Sequence, residues 1–439
     1  MLDINFIRAH QDEVAAAIHN KGYKFTLKPL LEADDKRREL SRQLDEYREK
    51  RNKLTKKIGG GEQKAAEAER AEAIEEAKLL KKQITELEEQ QKAVEAEYLK
   101  LLKAVPNVPD KDVPIGLSED ENEVAEVVGK PRVFDFTPKN HYEIGVERDW
   151  IDKERAAKVT GARFAYIKGD LVKLQMAIVN FVMDSLTEEG VIKEIIKKNK
   201  LEGLSTKPFV LVLPPLMLRT DMYEAMDRLE PREDRYQIAG EELWLEGSAE
   251  HVLGPMHADE IFAEEDLPVR YLGYATSFRQ EAGTYGKDME GIIRMHQFDK
   301  MELESFSTPE TSRKEHEFFV GIQRWLVEQL RLPYRVIRKC TFDIGKPDAR
   351  GIDIEVWLPG QNKYRETHTA DYMTDYQSRR LNTRFRTKSG KLELVHTNDA
   401  TAFALGRIMV AVIENYQNAD MTIKVPEVLR RYLDGKEIL

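Results

Sequence analysis

The residues that could do chemistry in this chain are concentrated in one stretch, Phe278–Glu302, which reads F-R-Q-E-A-G-T-Y-G-K-D-M-E-G-I-I-R-M-H-Q-F-D-K-M-E. The pattern predicts a strand over Tyr271–Arg279, a flexible loop, and a returning strand over Ile292–Glu304 whose charged side chains lie on one face. Arginine forks bind phosphate oxygens in pairs, and an aromatic ring stacks on a base. Arg279, Arg294 and Phe298 therefore suit a nucleotide, although a surface hairpin with ordinary cross-strand salt bridges fits the composition as well.

Three further charged groups lie elsewhere in the chain. Ser248 and Glu250 follow a predicted strand, Glu366 and Thr369 lie at the end of another, and Arg407 opens the last predicted helix. If all of them face the sheet surface that carries the hairpin, arginines meet both ends of a triphosphate and carboxylates can hold Mg²⁺ or an amine. Such a site would promote in-line displacement at phosphorus by positioning and charge stabilisation. Each segment alone is equally compatible with a structural role.

The sequence lacks the other common signatures for nucleotides and metals. It contains neither a P-loop nor a Rossmann glycine fingerprint, and no Cys/His spacing typical of zinc. We expect His296 and His368 to be structural, because each lies within a strand of alternating polarity or beside one.

Composition excludes several broad classes. The 439 residues predict two or three domains. A net charge of -10 gives no global basic field for nucleic acid, although a local basic patch is compatible with it. The single cysteine, Cys340, fits a reducing compartment. Without an apolar run long enough to span a membrane or a signal-peptide pattern, the chain is expected to be cytoplasmic.

Residues 30–104 predict a long helical arm. They are rich in Glu, Lys, Arg, Ala and Leu, and their apolar residues recur at alternating spacings of four and three, which indicates a coiled coil. The first seam contains Leu40, Leu44, Tyr47, Leu54 and Ile58, and the second contains Ala77, Leu80, Ile84, Leu87, Val94, Tyr98 and Leu101. An antiparallel register that places Arg51 opposite Gln91 puts the turn near residues 65–72, while the glycines at 59–61 offer a rival turn.

The charge of the arm is uneven. Residues 36–57 carry ten basic side chains against four acidic ones, and residues 62–99 carry eleven acidic against six basic. A basic ridge of this kind could bind the phosphates of a long nucleic acid. An arm of about 35 residues per helix reaches about 50–60 Å, which suits a distant and bulky partner. Two solvated helices that attract each other, or a dimerisation rod, are the alternatives.

The rest of the chain predicts an α+β body. Three prolines in residues 105–119 end the arm and form a linker. Runs of hairpins flanked by helices then indicate an antiparallel sheet. Leu171–Glu189 is a clear amphipathic helix, and Val210 lies in an apolar strand. Lys193–Lys207 is basic and poorly patterned, which predicts an exposed excursion.

These motifs together resemble the seryl-tRNA synthetases, a family of class II aminoacyl-tRNA synthetases. The resemblance covers nearly the whole chain. Its most specific parts are the hairpin quoted above and E-V-W-L-P-G-Q-N-K-Y-R-E, with A-L-G-R-I-M-V-A-V-I-E-N-Y-Q as the third class II motif and Pro214–Pro215 at the end of the first. The resemblance implies a tRNA-binding arm at 1–105, a linker at 106–119 and a class II catalytic domain at 120–439.

The resemblance also implies an activity: serine and ATP form seryl-adenylate, and the seryl group then passes to the 3′ end of tRNA(Ser). It further implies Mg²⁺ and a homodimer. Arg279, Arg407 and Glu366 would be catalytic, and Glu366 and Thr369 would bind the metal. The implied ATP contacts are Arg279, Glu281, Arg294, Phe298, Glu366, Thr369 and Arg407. The implied amino-acid contacts are Ser248, Glu250, Arg279, Glu302, Asp399 and Thr401. The implied tRNA contacts are Arg42, Arg48, Lys53 and Lys56.

The amino-acid pocket departs from the family pattern. Ser248 stands where the family has threonine, Asp399 where it has asparagine, Thr401 where it has serine, and Tyr372 where it has asparagine. The family loop T-G-Q-L-P-K-F is replaced by residues 225–231, A-M-D-R-L-E-P. Three readings follow: a serine enzyme with compensated changes, a relative that activates another small amino acid or serves an acceptor other than tRNA, and a catalytically weak tRNA-binding protein.

Overall fold

The computed structural model describes residues 1–59, 67–282 and 291–439. The contacts separate the chain into two compact units, Met1–Pro106 and Asn107–Leu439. Residues 60–66 and 283–290 lie outside the described part. The predicted flexible loop of the hairpin lies largely within the second of these ranges, and the first contains residues 60–61 and 65–66 of the two candidate turns of the arm.

The first unit is helical. Its helices are α1 (Ile4–Ala9), α2 (Gln11–Asn20), α3 (Lys28–Gly59) and α4 (Glu67–Ala104). The two long helices confirm the predicted arm. Leu40 and Leu44 on α3, and Leu80, Ile84 and Val94 on α4, are buried in this unit, as the heptad pattern requires.

The predicted register of the arm is wrong. Gln91 donates through Nε2 to the hydroxyl of Ser41 at 2.9 Å, so it does not lie opposite Arg51. Arg48 lies 2.7 Å from Glu88 in the same register. Helix α3 continues to Gly59 and α4 begins at Glu67, so the connection lies before most of the predicted turn. Sliding α3 along α4 pairs different heptad positions, and the apolar pattern of the sequence fits both pairings.

A buried aspartate joins the lead-in helices to the root of the arm. Asp34 is fully buried and lies within 2.9 Å of guanidinium nitrogens of Arg8, Arg37 and Arg38. Burial alone would raise the pKa of Asp34, but the arginines outweigh it and lower that pKa. The paired charge holds α1 against α3.

The second unit is an α+β body. Its α-helices are α5 (His141–Glu147), α6 (Lys153–Thr160), α7 (Asp170–Leu186), α8 (Glu189–Lys198), α9 (Thr220–Ala225), α10 (Glu250–Leu253), α11 (Pro309–Gln329), α12 (Ser378–Leu381) and α13 (Leu405–Tyr416). Its strands are β1 (Glu123–Val128), β2 (Ile151–Asp152), β3 (Tyr166–Ile167), β4 (Val210–Val212), β5 (Met217–Arg219), β6 (Leu243–Leu245), β7 (Ile261–Ala263), β8 (Val269–Phe278), β9 (Gln297–Ser307), β10 (Tyr334–Arg338), β11 (Arg350–Leu358), β12 (Lys363–Thr374), β13 (Arg384–Arg386), β14 (Leu392–Leu394) and β15 (His396–Ala404).

One large sheet organises this body. Its strand order is β1-β10-β11-β12-β15-β9-β8-β4, and every neighbouring pair is antiparallel except β4 and β8. One face packs against α11 and α13 in the main hydrophobic core. Alternation along β9 divides its side chains: Met301 and Leu303 enter that core, while Lys300 and Glu302 lie on the opposite face. The predicted mostly antiparallel class II architecture is confirmed.

The predicted exposed excursion at Lys193–Lys207 is wrong. Residues up to Lys198 belong to α8, whose isoleucines at 192, 195 and 196 are buried, and Leu201 and Leu204 are buried after it. The apolar stripe begins at Ile192, one residue before Lys193, so residues 193–207 alone do not contain the full helical spacing. The lysines lie on the solvent side of an ordinary amphipathic helix.

The returning strand of the hairpin begins later than predicted. Strand β9 starts at Gln297 rather than Ile292. Ile292 and Ile293 are buried in the main core without joining the ladder, and the backbone N–H of Ile292 donates to His141 Nε2 at 3.2 Å. Burial therefore explains the apolar run that resembled a strand.

Candidate active site

A cleft of about 380 Å³ opens on the face of the sheet opposite α11 and α13. It is lined by residues from the segments after β8 and before β9, from β9, β12 and β15, and from the start of α13. All seven residues predicted to contact a nucleotide line it: Arg279, Glu281, Arg294, Phe298, Glu366, Thr369 and Arg407. The structure thus brings together residues that are up to 128 positions apart in the chain numbering, from 279 to 407.

Arg279 lies directly after β8 and is held beside an aromatic ring. Its Nε donates to the carbonyl of Gly247 at 2.8 Å, and its guanidinium carbon lies 5.4 Å from the centre of the Phe298 ring. Phe298 is on the adjacent strand β9, in register with Ser277. Strand pairing therefore sets a cation and a flat ring side by side, the arrangement expected for a phosphate next to a base.

A second arginine is fixed by a carboxylate across the cleft. Arg294 forms an ion pair with Glu281. Glu281 has a φ of 53°, in the left-handed region, and its carbonyl accepts a hydrogen bond from Arg163 Nη1 at 3.1 Å. An unusual backbone conformation that is held by several contacts is typical of functional sites.

Arg407 and Glu366 form the opposite wall. Arg407 Nη1 lies 3.0 Å from Glu366 Oε1 and also donates to the Glu366 carbonyl at 2.9 Å. Desolvation would raise the pKa of Glu366, but Arg407 and Lys339 outweigh it and lower the pKa to about 2. Glu366 is therefore a permanent carboxylate at neutral pH, with 48% of its side chain exposed.

The residues beside Glu366 fit a hard cation. Within the part of the chain that the structure describes, the buried hydroxyl of Thr369 has no hydrogen-bond partner, and Asp353, its register partner on β11, also carries an unpartnered carboxylate oxygen. Carboxylate and hydroxyl oxygens are ligands that Mg²⁺ accepts, usually with waters and substrate phosphates. Burial raises the pKa of Asp353 to about 8 against the opposing charge of Lys339, and a bound cation would favour its ionised form.

Most residues predicted to bind the amino acid lie behind the cleft. Arg279 and Thr401 line the cleft, whereas Ser248, Glu250, Glu302 and Asp399 are buried. Carboxylate oxygens of Glu250, Glu302 and Asp399 lie within 4.8 Å of one another. Burial, aided by the charge of Glu250, raises the pKa of Glu302 to about 8, and burial raises that of Asp399 well above its usual range. We call these three residues the carboxylate trio.

Lys300 joins the cleft to the carboxylate trio and was missing from the predicted site. Its Nζ lies 2.7 Å from Glu302 Oε2 and 3.8 Å from Glu250 Oε2, and it donates to the hydroxyl of Ser248 at 3.0 Å. That hydroxyl in turn donates to Glu250 at 2.9 Å. The alternation of Phe298, Lys300 and Glu302 along one strand is the sequence signal that could have identified it.

The structure corrects the reading of Tyr372. Its place in the family pattern predicts that Tyr372 belongs to the pocket that selects the amino acid. Its hydroxyl instead lies 3.1 Å from Ser312 Oγ on α11, and its ring packs near His316 and His396. Adjacent residues of β12 face opposite sides of the sheet, so Asp371, rather than Tyr372, lies on the side of the carboxylate trio.

The four predicted tRNA contacts lie exposed on α3. Arg42 pairs with Glu39 and Glu46 on its own helix, Arg48 pairs with Glu88, and Lys53 pairs with Glu49. Lys56 is exposed near the end of α3. Exposed pairs of this kind are weak, so these cations remain available to a polyanion. Among the described helices, none combines the length and apolarity needed to cross a bilayer.

Comparison with known proteins covers both units. Residues 1–109 match the seryl-tRNA synthetase N-terminal domain, and residues 233–416 match the tRNA synthetase class II core domain (G, H, P, S and T). A serine--tRNA ligase of Symbiobacterium thermophilum is 39% identical, with 98% of each chain covered. One of Nitrosopumilus maritimus is 36% identical over the whole of both chains.

Solved structures agree with these relatives. Seryl-tRNA synthetase from Pyrococcus horikoshii complexed with ATP is similar with a TM-score of 0.88 and 35% identity, covering 100% of this chain and 99% of that one. Cytoplasmic serine-tRNA ligase from Naegleria fowleri in complex with AMP is similar with a TM-score of 0.84 and 26% identity, covering 100% and 98%.

Proposed function

Because the chain belongs to the seryl-tRNA synthetase family, we propose that it is a serine--tRNA ligase, which forms seryl-adenylate from serine and ATP and transfers the seryl group to tRNA(Ser). One observation carries this proposal. The seven predicted nucleotide contacts line a single cleft, and a buried carboxylate trio lies at its inner end. The first part suits a polyphosphate with a base, and the second suits an ammonium group.

ATP binding in this proposal uses the two walls of the cleft. Phe298 stacks on the adenine, Arg279 contacts the α-phosphate and the serine carboxylate, and Arg407 contacts the distal phosphates or the other face of the base. Arg294 and Glu281 complete the nucleotide site from the hairpin. The serine carboxylate then attacks the α-phosphorus in line, the bond to pyrophosphate breaks, and fixed guanidinium groups stabilise the charge that spreads over the phosphate oxygens.

We assign a magnesium site to Glu366 and Thr369. The unpartnered hydroxyl of Thr369 and the low pKa of Glu366 support this assignment. When bound there, Mg²⁺ would neutralise phosphate charge and orient the triphosphate. Arg407 would hold the Glu366 carboxylate in position through their ion pair.

Serine binding uses the inner end of the cleft. Glu250, Glu302 and Asp399 surround the ammonium group, and the hydroxyls of Ser248 and Thr401 lie where they can bond the hydroxyl of serine. Three carboxyls are more than one ammonium requires, and the raised pKa values of Glu302 and Asp399 keep the site from holding three negative charges before the ammonium binds.

The remaining assignments concern the partners of the enzyme. Residues 1–105 would form the tRNA-binding arm, 106–119 the linker and 120–439 the catalytic domain. Arg42, Arg48, Lys53 and Lys56 would contact tRNA phosphates. Val210 and Leu213 are exposed apolar residues in and beside the edge strand β4, which supports a homodimer. The single buried Cys340 supports a cytoplasmic location.

The test is ATP–pyrophosphate exchange with a panel of amino acids and Mg²⁺, followed by charging of tRNA. We expect exchange with serine and formation of seryl-tRNA(Ser). Exchange with another small amino acid and none with serine would refute the specificity. Exchange without charging of any tRNA would indicate a different acceptor, and no exchange with any amino acid would indicate a tRNA-binding protein instead.

A further inference from the structure

Arg228 lies at the centre of a group of buried carboxylates, on the loop 225–231 whose sequence departs from the family pattern. Its Nη2 lies 3.0 Å from Asp348, 3.4 Å from Asp399 and 3.7 Å from Asp371, and its Nε lies 3.7 Å from Glu250. Only 14% of its side chain is exposed. These four acids come from separate segments of the chain, so one guanidinium joins α10, the segment before β11, β12 and β15.

The loop that carries Arg228 is firmly anchored. The neighbouring Asp227 lies 2.8 Å from Lys346 and 3.1 Å from Arg380, and it accepts a hydrogen bond from the Tyr376 hydroxyl at 3.0 Å. The backbone carbonyl of Arg228 accepts two hydrogen bonds from Arg235, at 3.2 and 3.1 Å. Contacts on both sides of the residue therefore fix where its guanidinium lies.

The carboxylate trio lies between two cations. Lys300 contacts Glu302 and Glu250 from the side of the cleft. Arg228 contacts Glu250 and Asp399 from the inner side. Glu250 touches both cations and is shared between them. Glu304 is fully buried beside this group, and among the described residues neither of its carboxylate oxygens has a hydrogen-bond partner.

We propose that Arg228 is a positioning residue of the amino-acid site, which fixes Glu250 and Asp399 at the spacing that accepts the ammonium and short side chain of serine. The inference rests on the proposed function, because it assumes that these two carboxylates receive the amino acid. A planar guanidinium can bond several carboxylates in fixed directions, which an ammonium on a flexible stem cannot do. The residue acts through Glu250 and Asp399.

The charge balance favours an ammonium group over a divalent ion in this position. Two fixed cations already neutralise part of the trio, and burial keeps the pKa of Asp399 high. A divalent cation would have to share its ligands with Arg228 and Lys300 at close range, where like charges repel strongly. With all three carboxyls ionised, Arg228, Lys300 and one substrate ammonium carry three positive charges against three negative ones, and the bound ammonium would favour the ionised forms of Glu302 and Asp399.

Two variants of the full-length enzyme test the proposal. Arg228→Lys keeps the charge but loses the fork, and Arg228→Met combined with Asp348→Asn removes the cation together with one acid outside the trio. In ATP–pyrophosphate exchange we expect the KM for serine to rise about tenfold or more in each, because the trio loses a buried, hydrogen-bonded partner. The KM for ATP should stay within about twofold of its original value.

Matched controls separate positioning from stability. Asp348→Asn alone leaves Arg228 in contact with Glu250 and Asp399, so the KM for serine should not change. Arg270 and Glu315 form another fully buried ion pair in the same unit. Arg270→Met with Glu315→Gln should alter the unfolding temperature without changing the ratio of the two KM values.

The outcomes are distinguishable. If the original enzyme shows no serine-dependent exchange, the proposed function itself fails. If it does, but both Arg228 variants keep the KM for serine, Arg228 does not position the pocket. A fall in kcat and unfolding temperature with both KM values unchanged, or failure of both variants to fold, would assign Arg228 to charge balance alone and also overturn the proposal.

Discussion

Arg407 Nη1 lies 3.0 Å from Glu366 Oε1, and this contact joins the start of α13 to β12 in one wall of the cleft. This ion pair holds in place two side chains that the proposed reaction needs together: Arg407 to contact phosphate and Glu366 to bind a metal ion. Loss of either partner should release the other, which makes the pair directly testable.

Arg407→Ala should reduce activation more than substrate binding. Removal of a charged group that stabilises a transition state costs about 10²–10³-fold in rate. We expect a loss of that size in kcat for ATP–pyrophosphate exchange, with the KM for serine little changed. Arg331→Ala is the matched control, because Arg331 forms an exposed pair with Glu427 and its removal should leave exchange intact. Equal losses in the two variants would contradict the assignment.

The raised pKa of Glu302, about 8, has a consequence for stability. An unfolded glutamate titrates near about 4.3. Between these values the folded protein holds a proton that the unfolded chain has lost, so the free energy of unfolding falls as pH rises through this window. Glu302→Gln should flatten this fall in denaturant titrations across that pH range. Glu246, with a pKa of about 8 from burial, shares the window and keeps part of the slope. An unchanged slope in the variant would contradict the prediction.

Charge reversal on the arm should affect tRNA and spare activation. We expect Arg42→Glu with Lys56→Glu to raise the KM for tRNA about tenfold or more and to reduce the salt dependence of charging, since two phosphate contacts are lost. Serine-dependent exchange should be unchanged. Lys82→Glu on α4 is the control, because Lys82 is exposed on the helix that carries the acidic excess. If tRNA charging were equally weak in the Lys82→Glu control, the net charge of the arm, rather than the basic side chains of α3, would explain the loss.

Tyr372→Phe should leave amino-acid choice untouched. The substitution removes one hydroxyl that lies 3.1 Å from Ser312 on the helix side of the sheet. A lost neutral hydrogen bond costs about 1 kcal/mol in the free energy of unfolding. The ratio of kcat/KM for serine over threonine should therefore stay constant, while Thr401→Ala, on the cleft side, should change it. A change in that ratio for the tyrosine variant would show that the helix-side face influences the pocket.

Much of the fold could be predicted because its signals are local. The period-two alternation around Lys300 and Glu302 indicates a strand with one polar face, and the heptads around Leu44 and Val94 indicate the arm. The register of the arm could not be predicted, because a repeating pattern matches itself after a shift. Helix α8 could not be recognised from residues 193–207 alone, because its apolar stripe begins at Ile192.

Part of the candidate site could likewise be predicted from the sequence, and part could not. The nucleotide residues belong to contiguous motifs, so their resemblance to a known family could identify them. Arg228 has no such motif: its partners Glu250, Asp348, Asp371 and Asp399 come from four distant segments, and only the folded sheet brings them to one guanidinium. Tyr372 shows the opposite case. Its place in a family motif predicts a pocket residue, but a motif does not state which face of a strand a side chain occupies.

Lys300 lines the cleft and also contacts Glu302 and Ser248 behind it. We therefore expect Lys300 to couple the binding of the two substrates, because it borders the nucleotide cleft and contacts the carboxylate trio. By thermodynamic reciprocity, whatever factor serine imposes on the affinity for ATP, ATP must impose on the affinity for serine. Calorimetric titration of each substrate in the presence of the other would give that shared factor, and Lys300→Met would reduce it towards one.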